Sequence, residues 1–445
     1  MSKNHVKSRT ISFINQYLNS KENIVKDIFL LDNYNDYPKF YQYYTRYPPI
    51  NFKYEAELIA NGLSFDKKTS YIKAFMETVE RWYLFNQKDD ELIYDSYFNL
   101  KKKGNLVQKP NKFCCFSQKQ LQQKKMQDFR FDEYSYFYWI KVKKMNSQND
   151  FLLPAQLFFL AFDKKNSEPV IRLSDSTGAA CGTSLEQALY NSIKELIERD
   201  AYAISYYNKL PLKRINLTKV NKKIRFLLDE LEKYYFTPLL FDITTDIKIP
   251  TCLCILIDQT KVGSKITVGA KCELLWQDAI EGAILESLQA IISMRDIKNM
   301  RDSFTKKEFK NIMTEEKPAA KRLIHWLDKD VLERMKYLSN GIETKVEDGY
   351  NLRNISYHKK LSICLQSLRD ANITEIYWKK TTPKELDKFN IYGVKTVVPR
   401  LQPISLIQRY IYLGGKRLYG IPVKLGYFKK PLKENELNSF PHPLP

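Results

Sequence analysis

Apolar residues recur with helical spacing in three separate segments of the chain. The first segment includes A-F-M-E-T-V-E-R at positions 74–81, and the second includes E-L-I-E-R-D-A at 195–201. The third is Q-D-A-I-E-G-A-I-L-E-S-L-Q at 277–289. Around the first and third segments, apolar positions cover most of the helix circumference, which is typical of a buried helix rather than one on the surface.

Each of these predicted helices also carries two polar side chains three residues apart, which places them on one face. The pairs are Glu77 with Glu80, Glu195 with Glu198, and Glu286 with Gln289. A buried carboxylate has to be paired, protonated or bound to a metal, because an isolated buried charge is too costly. The residues alone leave two interpretations open. The carboxylates form structural ion pairs with Lys or Arg, or they converge on one cleft and hold Mg²⁺ and substrate phosphates.

A stretch of small residues precedes the second helix. The sequence S-D-S-T-G-A-A-C-G at 174–182 predicts a turn, in which Gly178 and Gly182 allow backbone conformations that other residues resist. Thr183 or Ser184 is expected to cap the helix, with Glu186 or Gln187 completing a capping box. A turn that leads into a helix N-terminus is a suitable place for a phosphate group.

The remaining pattern predicts strands between the helices. Strand character is found in four segments: Tyr134–Val142, Phe151–Ala161, Thr237–Asp242 and Ile249–Asp258. The Lys- and Gln-rich stretch 100–129 is expected to be an exposed excursion, and the charged stretch 299–334 a helical, solvent-facing elaboration. Strands that alternate with long helices indicate an α/β or α+β fold.

Composition narrows the choice of partner. The chain has 445 residues and a formal net charge of +21, which suggests an anionic partner such as a nucleotide or an acidic peptide. The lysines are dispersed, and no zinc finger or ribonucleoprotein motif is present, so direct binding of nucleic acid is not expected. Walker A and G-x-G-x-x-G motifs are absent as well, so a nucleotide site would be of another kind.

Cysteine usage and hydropathy indicate the location. The seven cysteines include no C-x-x-C pair, so neither a disulfide framework nor a zinc site is indicated. The longest apolar stretch is interrupted by Pro154 and Gln156, and no signal-peptide core is present. We therefore expect a cytoplasmic protein without a membrane span.

Taken together, the motifs resemble the nucleotide-binding signature of the YcaO superfamily of peptide-backbone-activating enzymes. S-T-G-A-A-C-G followed by E-L-I-E-R-D-A resembles the central block of that family. A-F-M-E-T-V-E-R and A-I-L-E-S-L-Q resemble its first and third blocks. Further on, Y-G-V-K-T-V-V-P-R-L-Q-P resembles the azoline-forming members, and the terminal F-P-H-P-L-P matches their PxPxP ending. The resemblance runs from about residue 54 to the last residue.

The resemblance implies a YcaO fold with mixed sheets, in which carboxylate-bearing helices line a central ATP cleft. It implies an ATP-dependent cyclodehydratase that converts Cys, Ser or Thr of a ribosomal precursor peptide to thiazoline or (methyl)oxazoline by phosphorylating the backbone amide oxygen. ATP and Mg²⁺ are the expected cofactors. Contacts to Mg²⁺ and phosphate are expected from Glu77, Glu80, Glu195, Glu198 and Glu286. Nucleotide contacts are expected from Ser176, Gly178, Gly182, Thr183, Ser184, Arg81, Arg199 and Gln289.

The general base is left open by the sequence. The terminal carboxylate of Pro445 and the imidazole of His442 are both candidates, and His442 could equally serve only to pack the tail. In YcaO relatives the proline ending accompanies cyclodehydration, whereas relatives that perform thioamidation typically lack it. Two alternative functions are a YcaO-type thioamidation enzyme and a non-catalytic scaffold or binding protein that keeps the fold.

The resemblance also implies partners and a domain division. The chain is expected to be the stand-alone D subunit of a streptolysin S-type system, working with a separate ThiF-like or winged-helix protein that binds the leader of the precursor peptide. A flavin dehydrogenase of the same pathway and a homodimeric state are further expectations. Residues 1–52 are expected to form a variable N-terminal lead-in, and residues 53–445 the catalytic domain with its PxPxP tail.

Overall fold

Helices and strands alternate along most of the chain. The computed structural model describes residues 3–32, 35–47, 58–86, 91–160, 166–260, 265–303, 305, 307–308, 321–327, 331–348 and 352–444. The helices are α1 (Lys3–Leu18), α2 (Lys67–Phe85), α3 (Tyr97–Lys102), α4 (Gln118–Leu121), α5 (Leu185–Tyr207), α6 (Lys222–Lys233), α7 (Trp276–Ser303), α8 (Lys321–Ile324), α9 (Val331–Arg334), α10 (Tyr357–Asp370) and α11 (Lys416–Lys424). The strands are β1 (Asp27–Leu30), β2 (Tyr41–Tyr47), β3 (Leu58–Ser64), β4 (Ile93–Ser96), β5 (Tyr136–Lys144), β6 (Asp150–Pro154), β7 (Ala179–Gly182), β8 (Lys213–Ile215), β9 (Phe236–Asp242), β10 (Thr251–Asp258), β11 (Ile266–Cys272), β12 (Glu343–Thr344), β13 (Tyr377–Lys380) and β14 (Tyr392–Val397).

The chain divides into two compact units, and it passes between them more than once. Unit 1 consists of residues 1–33, 40–196 and 356–401, and unit 2 of residues 34–39, 197–355 and 402–445. Helix α5 begins in unit 1 and ends in unit 2. The predicted boundary between residues 52 and 53 lies outside the described residues and stays a prediction.

The described strands of unit 1 form two antiparallel sheets. One has the order β1-β2-β3, and the other has the order β4-β5-β13-β14-β7 with β6 beside β5. Helix α2 packs against β2 and β3, and its first turn is capped by Asp66, which accepts a hydrogen bond from the Thr69 N–H at 2.9 Å. The close approach requires Gly62, because a Cβ there would lie 2.4 Å from the backbone nitrogen of Ala74. This contact places the carboxylates of α2 beside β3.

Unit 2 is built around one sheet with the order β11-β10-β9-β8-β12, in which only the short pairing of β12 with β8 is parallel among the described strands. Helix α7 packs against β10 and β11. Leu253, Ile255 and Val268 of this sheet belong to a buried core that also contains Trp326 and Val331. The sheet thereby fixes the position of the third carboxylate-bearing helix.

The predicted mixture of strands and helices is confirmed, and the antiparallel pairings make the fold α+β. The three predicted helices form, as do strands close to 134–142, 237–242 and 249–258. The expected strand 151–161 is wrong in its second half, because β6 ends at Pro154 and a 3₁₀ turn follows at Ala155–Leu157. The expectation of a solvent-facing 299–334 segment fails at Trp326 and Val331, whose apolar side chains are buried in the core of unit 2.

The expected exposed excursion at 100–129 is also only partly correct, since Phe113, Met126 and Phe129 are buried. These apolar side chains pack an otherwise polar stretch against the rest of unit 1. Among the described residues, no helix combines the length and the apolar character needed to cross a bilayer.

Candidate functional site

The first carboxylate cluster lies on α2 in unit 1. Glu77 accepts a hydrogen bond from the backbone N–H of Asn61 on β3 at 3.2 Å. The guanidinium of Arg81 lies between the two acids, 3.4 Å from Glu77 Oε1 and 3.8 Å from Glu80 Oε1. Burial raises the pKa of Glu80 to about 8, with Arg81 opposing the shift and the neighbouring Glu195 and Glu77 carboxylates adding to it. Glu80 is therefore a buried carboxyl group whose ionised form Arg81 stabilises only in part.

Glu195, at the unit 1 end of α5, joins this cluster through the turn that precedes β7. Its Oε2 atom accepts a hydrogen bond from the Gly178 N–H at 2.8 Å. Gly178 has a φ of +84°, a conformation that favours glycine, and a Cβ there would lie 2.4 Å from the Thr396 carbonyl oxygen. The Gly178 carbonyl in turn accepts from the Ser192 hydroxyl at 2.6 Å. The turn and the helix are thus tied together on both sides of this one residue.

A lysine that the sequence analysis did not single out lies beneath the same turn. Lys395 on β14 has a side chain that is 1% exposed, and its Nζ donates to the carbonyl oxygens of Asp175 and Thr177, both at 2.7 Å. Burial lowers the pKa of Lys395 to about 8, while Asp175, Glu195 and Glu80 counteract that effect and Arg172 reinforces it. Arg81 and Lys395 are therefore cations beside the Glu77, Glu80 and Glu195 carboxylates of unit 1, and Asp175 and Arg172 add one further charge of each sign.

The second carboxylate cluster lies in unit 2, where α5 and α7 pack beside β11. Glu198 is 2% exposed; its Oε2 accepts from the Cys272 N–H at 2.9 Å and lies 3.6 Å from Lys271 Nζ. Burial raises the pKa of Glu198 to about 7, Lys271 opposes the shift, and the Glu286 carboxylate adds to it. Glu286 accepts from the Ala270 N–H at 3.1 Å. Both acids are held by backbone amides of one strand.

Two further predicted residues accompany this cluster. Arg199 directly follows Glu198, and its charge helps to keep the pKa of Glu198 from rising further. Gln289 follows Glu286 by one helical turn on α7 and is half-buried. These two side chains lie in unit 2, whereas Arg81 lies in unit 1.

The predicted small-residue turn is shorter than expected. Residues 179–182 form β7, which pairs antiparallel with β14, because the sheet takes up their backbone hydrogen bonds. Gly182 is therefore a strand residue. Ser184 caps α5, since its hydroxyl accepts from the Gln187 N–H at 3.2 Å, while the Gln187 side chain accepts from the Thr183 N–H at 2.9 Å. Ser176 remains in the turn that precedes the strand.

The C-terminal tail packs into the core of unit 2. The Pro441 carbonyl accepts from Trp326 Nε1 at 2.8 Å and from the Tyr206 hydroxyl at 2.9 Å. His442 is 1% exposed, and its Nε2 lies 2.9 Å from the Ser405 carbonyl oxygen. Leu444 is fully buried, and Pro445 lies outside the described residues. The tail is therefore a fixed element of unit 2 as far as residue 444.

Both lysines of the clusters were missed although the sequence contains a signal for each. Lys395 interrupts the apolar strand V-K-T-V-V, and Lys271 interrupts T-V-G-A-K-C. A lysine inside an apolar strand has to be paired with an acceptor if it is buried. Which acceptor it meets depends on contacts far along the chain, such as 220 residues between Lys395 and Asp175.

Comparison of the chain with models of protein families identifies its family. The family model "YcaO cyclodehydratase, ATP- and Mg²⁺-binding" matches residues 61–402, which is most of the chain. The chain belongs to the YcaO cyclodehydratase family. The predicted family is confirmed, and ATP and Mg²⁺ are the cofactors given for that family.

Solved structures agree with the YcaO fold. A heterocyclase in complex with substrate and cofactor has a TM-score of 0.80 and 21% identity, and the match covers 98% of this chain and 57% of that chain. YcaO from Methanopyrus kandleri, bound with AMPPCP and Mg²⁺, has a TM-score of 0.64 and 12% identity over 92% of this chain and 95% of that chain. The E. coli microcin synthetase McbBCD complex follows with a TM-score of 0.56 and 14% identity, covering 84% and 87%. This chain thus spans little more than half the length of the heterocyclase chain.

The carboxylate clusters suit the cofactors of the YcaO family. All the candidate ligands are oxygen atoms, which Mg²⁺ prefers, and Glu80 and Glu198 both stand next to other carboxylates that a divalent cation would neutralise. Among the described residues, no three His, Cys, Asp or Glu side chains come together as a ready metal site. The oxygen ligands of these carboxylates therefore fit Mg²⁺, which Glu77, Glu80, Glu195, Glu198 and Glu286 would hold together with the phosphates of a nucleotide.

Proposed function

We propose that this YcaO protein is an ATP-dependent cyclodehydratase that converts Cys, Ser or Thr of a ribosomal precursor peptide to thiazoline or (methyl)oxazoline. The match of the cyclodehydratase family model over residues 61–402 carries the proposal. Bound ATP·Mg²⁺ supplies the phosphoryl group that makes the backbone amide oxygen a leaving group. The side chain of the peptide residue closes the ring, and the amide oxygen departs with the phosphate.

The carboxylates are proposed to hold the metal and phosphate groups. In unit 1 these are Glu77, Glu80 and Glu195, and in unit 2 Glu198 and Glu286. Four of them accept a hydrogen bond from a backbone N–H, which fixes the position of each carboxylate before a ligand arrives. Such preorganisation is how a protein binds a transferring phosphoryl group without a large cost of rearrangement.

Nucleotide contacts are proposed for two arginines, one glutamine and the start of α5. The side chains of Arg81, Arg199 and Gln289 would support the phosphates or the carboxylates next to them. Small hydroxyls and backbone groups are available at Ser176 and Gly178 in the turn and at Thr183 and Ser184 in the helix cap. Gly182, which lies in β7, would contribute a backbone contact. That these groups meet around one cleft stays a prediction.

For the general base, Pro445 stays a prediction, because it lies outside the described residues. His442 was the other candidate, but its ring is buried, with centroids 6.0 Å from Tyr202 and 6.3 Å from Tyr206, and its Nε2 is engaged with Ser405. Those contacts favour the alternative that His442 packs the tail.

We propose two kinds of partner for this chain, an accessory protein and a precursor peptide. The microcin synthetase relative is a complex, and the heterocyclase relative was solved with a substrate, so an accessory protein and a precursor peptide are reasonable partners for this chain. The ThiF-like or winged-helix type of that partner, the flavin dehydrogenase, the homodimer and the cytoplasmic location stay predictions. Thioamidation is the second candidate function, and the match to the cyclodehydratase family model favours cyclodehydration over it.

The test follows ATP turnover and peptide mass in the same reaction. Phosphate release from ATP·Mg²⁺ is measured with a candidate precursor peptide, whose mass falls by one water for each ring formed. We expect Glu198→Gln to abolish both signals, and removal of Pro445 alone to reduce ring formation strongly. Glu281→Gln is the matched control on α7, because Glu281 pairs with Lys223 at 2.5 Å instead of joining the cluster.

The outcomes separate the candidate functions. Ring formation that depends on Glu198 but not on Glu281 supports the cyclodehydratase. Phosphate release without any loss of water, unaffected by removal of Pro445, favours thioamidation. A protein that binds no nucleotide favours a scaffold.

A further inference from the structure

The buried lysine on β14 has a defined structural role that no motif assigned to it. Both hydrogen bonds of Lys395 Nζ go to carbonyl oxygens of one turn, those of Asp175 and Thr177, at 2.7 Å each. The Asp175 carboxylate lies 3.7 Å away and supplies a counter-charge. A buried ammonium is tolerated only with such partners, so the turn and the lysine stabilise each other.

The bond to Thr177 also determines where the next amide points. In a trans peptide group, the C=O and the N–H of the following residue point in opposite directions. Because the Thr177 carbonyl points to Lys395, the N–H of Gly178 points away from it and donates to Glu195 Oε2 at 2.8 Å. One peptide group therefore lies between an ammonium and a carboxylate, and each charge strengthens the bond made by the other.

The same geometry applies two peptide groups earlier, between Asp175 and Ser176. The Asp175 carbonyl points to Lys395, so the N–H of Ser176 points away from it. Within the part of the chain that the structure describes, the Ser176 N–H has no protein acceptor. Like the carbonyls of Asp175 and Thr177, the Gly178 carbonyl already accepts a hydrogen bond, from the Thr396 N–H at 2.7 Å. The turn thus offers one amide donor, and not its carbonyls, to a ligand, and such a donor suits an acceptor with negative charge such as a phosphate oxygen.

We propose that Lys395 is a positioning residue of the nucleotide site, which orients the Ser176 N–H toward a phosphate oxygen and, through Gly178, holds Glu195 in place. The proposal rests on the proposed function, since the phosphate is that of the nucleotide. Lys395 acts through the turn and does not touch the reacting atoms, because its ammonium is engaged with the two carbonyls.

The test compares Lys395→Met with two other variants. Lys395→Gln keeps one donor without the charge, and Lys380→Met removes a lysine of the neighbouring strand β13 whose ammonium pairs with Asp387 instead. The first measurement is hydrogen exchange at the Gly178 amide without nucleotide. We expect exchange at least tenfold faster in Lys395→Met, an intermediate rate in Lys395→Gln, and no change in Lys380→Met.

The second measurement is the affinity for AMPPCP with Mg²⁺ by titration calorimetry. We expect at least a tenfold loss for Lys395→Met and none for Lys380→Met. Unchanged exchange and unchanged affinity in a folded Lys395→Met protein would overturn the inference. If Lys395→Met does not fold, unchanged affinity in Lys395→Gln has the same consequence. Absence of AMPPCP binding by the unmodified protein would instead refute the proposed function, and the exchange result would still decide the role of Lys395 in the turn.

Discussion

Replacement of Glu80 by glutamine should stabilise the nucleotide-free protein at alkaline pH. The side chain of Glu80 is 16% exposed, and burial together with Glu195 and Glu77 raises its pKa from 4.5 to about 8. In the folded protein, the carboxyl group therefore keeps its proton up to about pH 8, whereas in the unfolded chain it loses the proton near pH 4.5. The stability that comes from this proton is present at low pH and is lost as the pH rises through that interval. Glutamine cannot ionise, so the variant avoids the loss.

The size of the effect follows from the shift in pKa. Each pH unit between the two pKa values corresponds to about 1.4 kcal/mol, so the unmodified protein should lose up to about 3 kcal/mol relative to Glu80→Gln between pH 6 and pH 8. For a chain of this length we expect roughly 1–2 °C in Tm per kcal/mol, which gives a relative change of roughly 3–6 °C. Arg81 reduces the gain because it loses one partner, but it keeps Glu77 at 3.4 Å.

The assay is thermal unfolding with a metal chelator from pH 5 to pH 9. The difference in Tm between Glu80→Gln and the unmodified protein should grow up to about pH 8 and then level off. Glu91→Gln, which removes an exposed acid paired with Lys379, is the control and should show no such trend. A difference that stays constant with pH in Glu80→Gln would refute the reasoning. In the presence of AMPPCP and Mg²⁺, the order should reverse, because the unmodified protein gains more from the ligand.

Three further predictions concern packing, the tail and metal binding. Gly62→Ala should lower the free energy of unfolding by about 3 kcal/mol in a urea titration, since its Cβ would lie 2.4 Å from backbone atoms of α2; equal stability would contradict the close approach. Trp326→Phe should cost about 2 kcal/mol in the same assay, because the smaller phenyl ring leaves a cavity in the core and the bond to Pro441 is lost; equal stability would contradict that packing and that bond. Affinity for Mg²⁺·AMPPCP should fall by at least about tenfold from pH 8 to pH 6, because burial raises the pKa of Glu198 to about 7 and that of Glu80 to about 8, and both must release a proton to bind metal. Glu198→Gln should have a shallower pH dependence, which then comes from Glu80, and an unchanged slope would contradict the role of Glu198.

The carboxylates could be found from the sequence because local rules govern them. Glu77, Glu80, Glu195 and Glu198 lie on helices whose apolar spacing is visible without a structure, and three-residue spacing fixes their common face. The capping of α5 by Ser184 is equally local, with both bonds spanning three or four residues. These features depend on neighbours within one or two helical turns, which the sequence shows directly.

The partners of those carboxylates could not be predicted, because they come from distant strands. The N–H that holds Glu198 belongs to Cys272, 74 residues away. The burial of Trp326 has the same origin, since its partner Pro441 is 115 residues further along the chain. The small-residue turn was overextended for a related reason, because strand pairing with β14 decides where β7 begins.

The most direct test of the account is the fate of the amide oxygen of the peptide. A precursor peptide is prepared with a heavy oxygen isotope in the backbone carbonyl that precedes a cysteine, and it is incubated with the protein, ATP and Mg²⁺. The account predicts that the label appears in inorganic phosphate, in a yield equal to the number of rings formed. Rings that form while the label passes to water instead of phosphate would contradict phosphorylation of the amide oxygen.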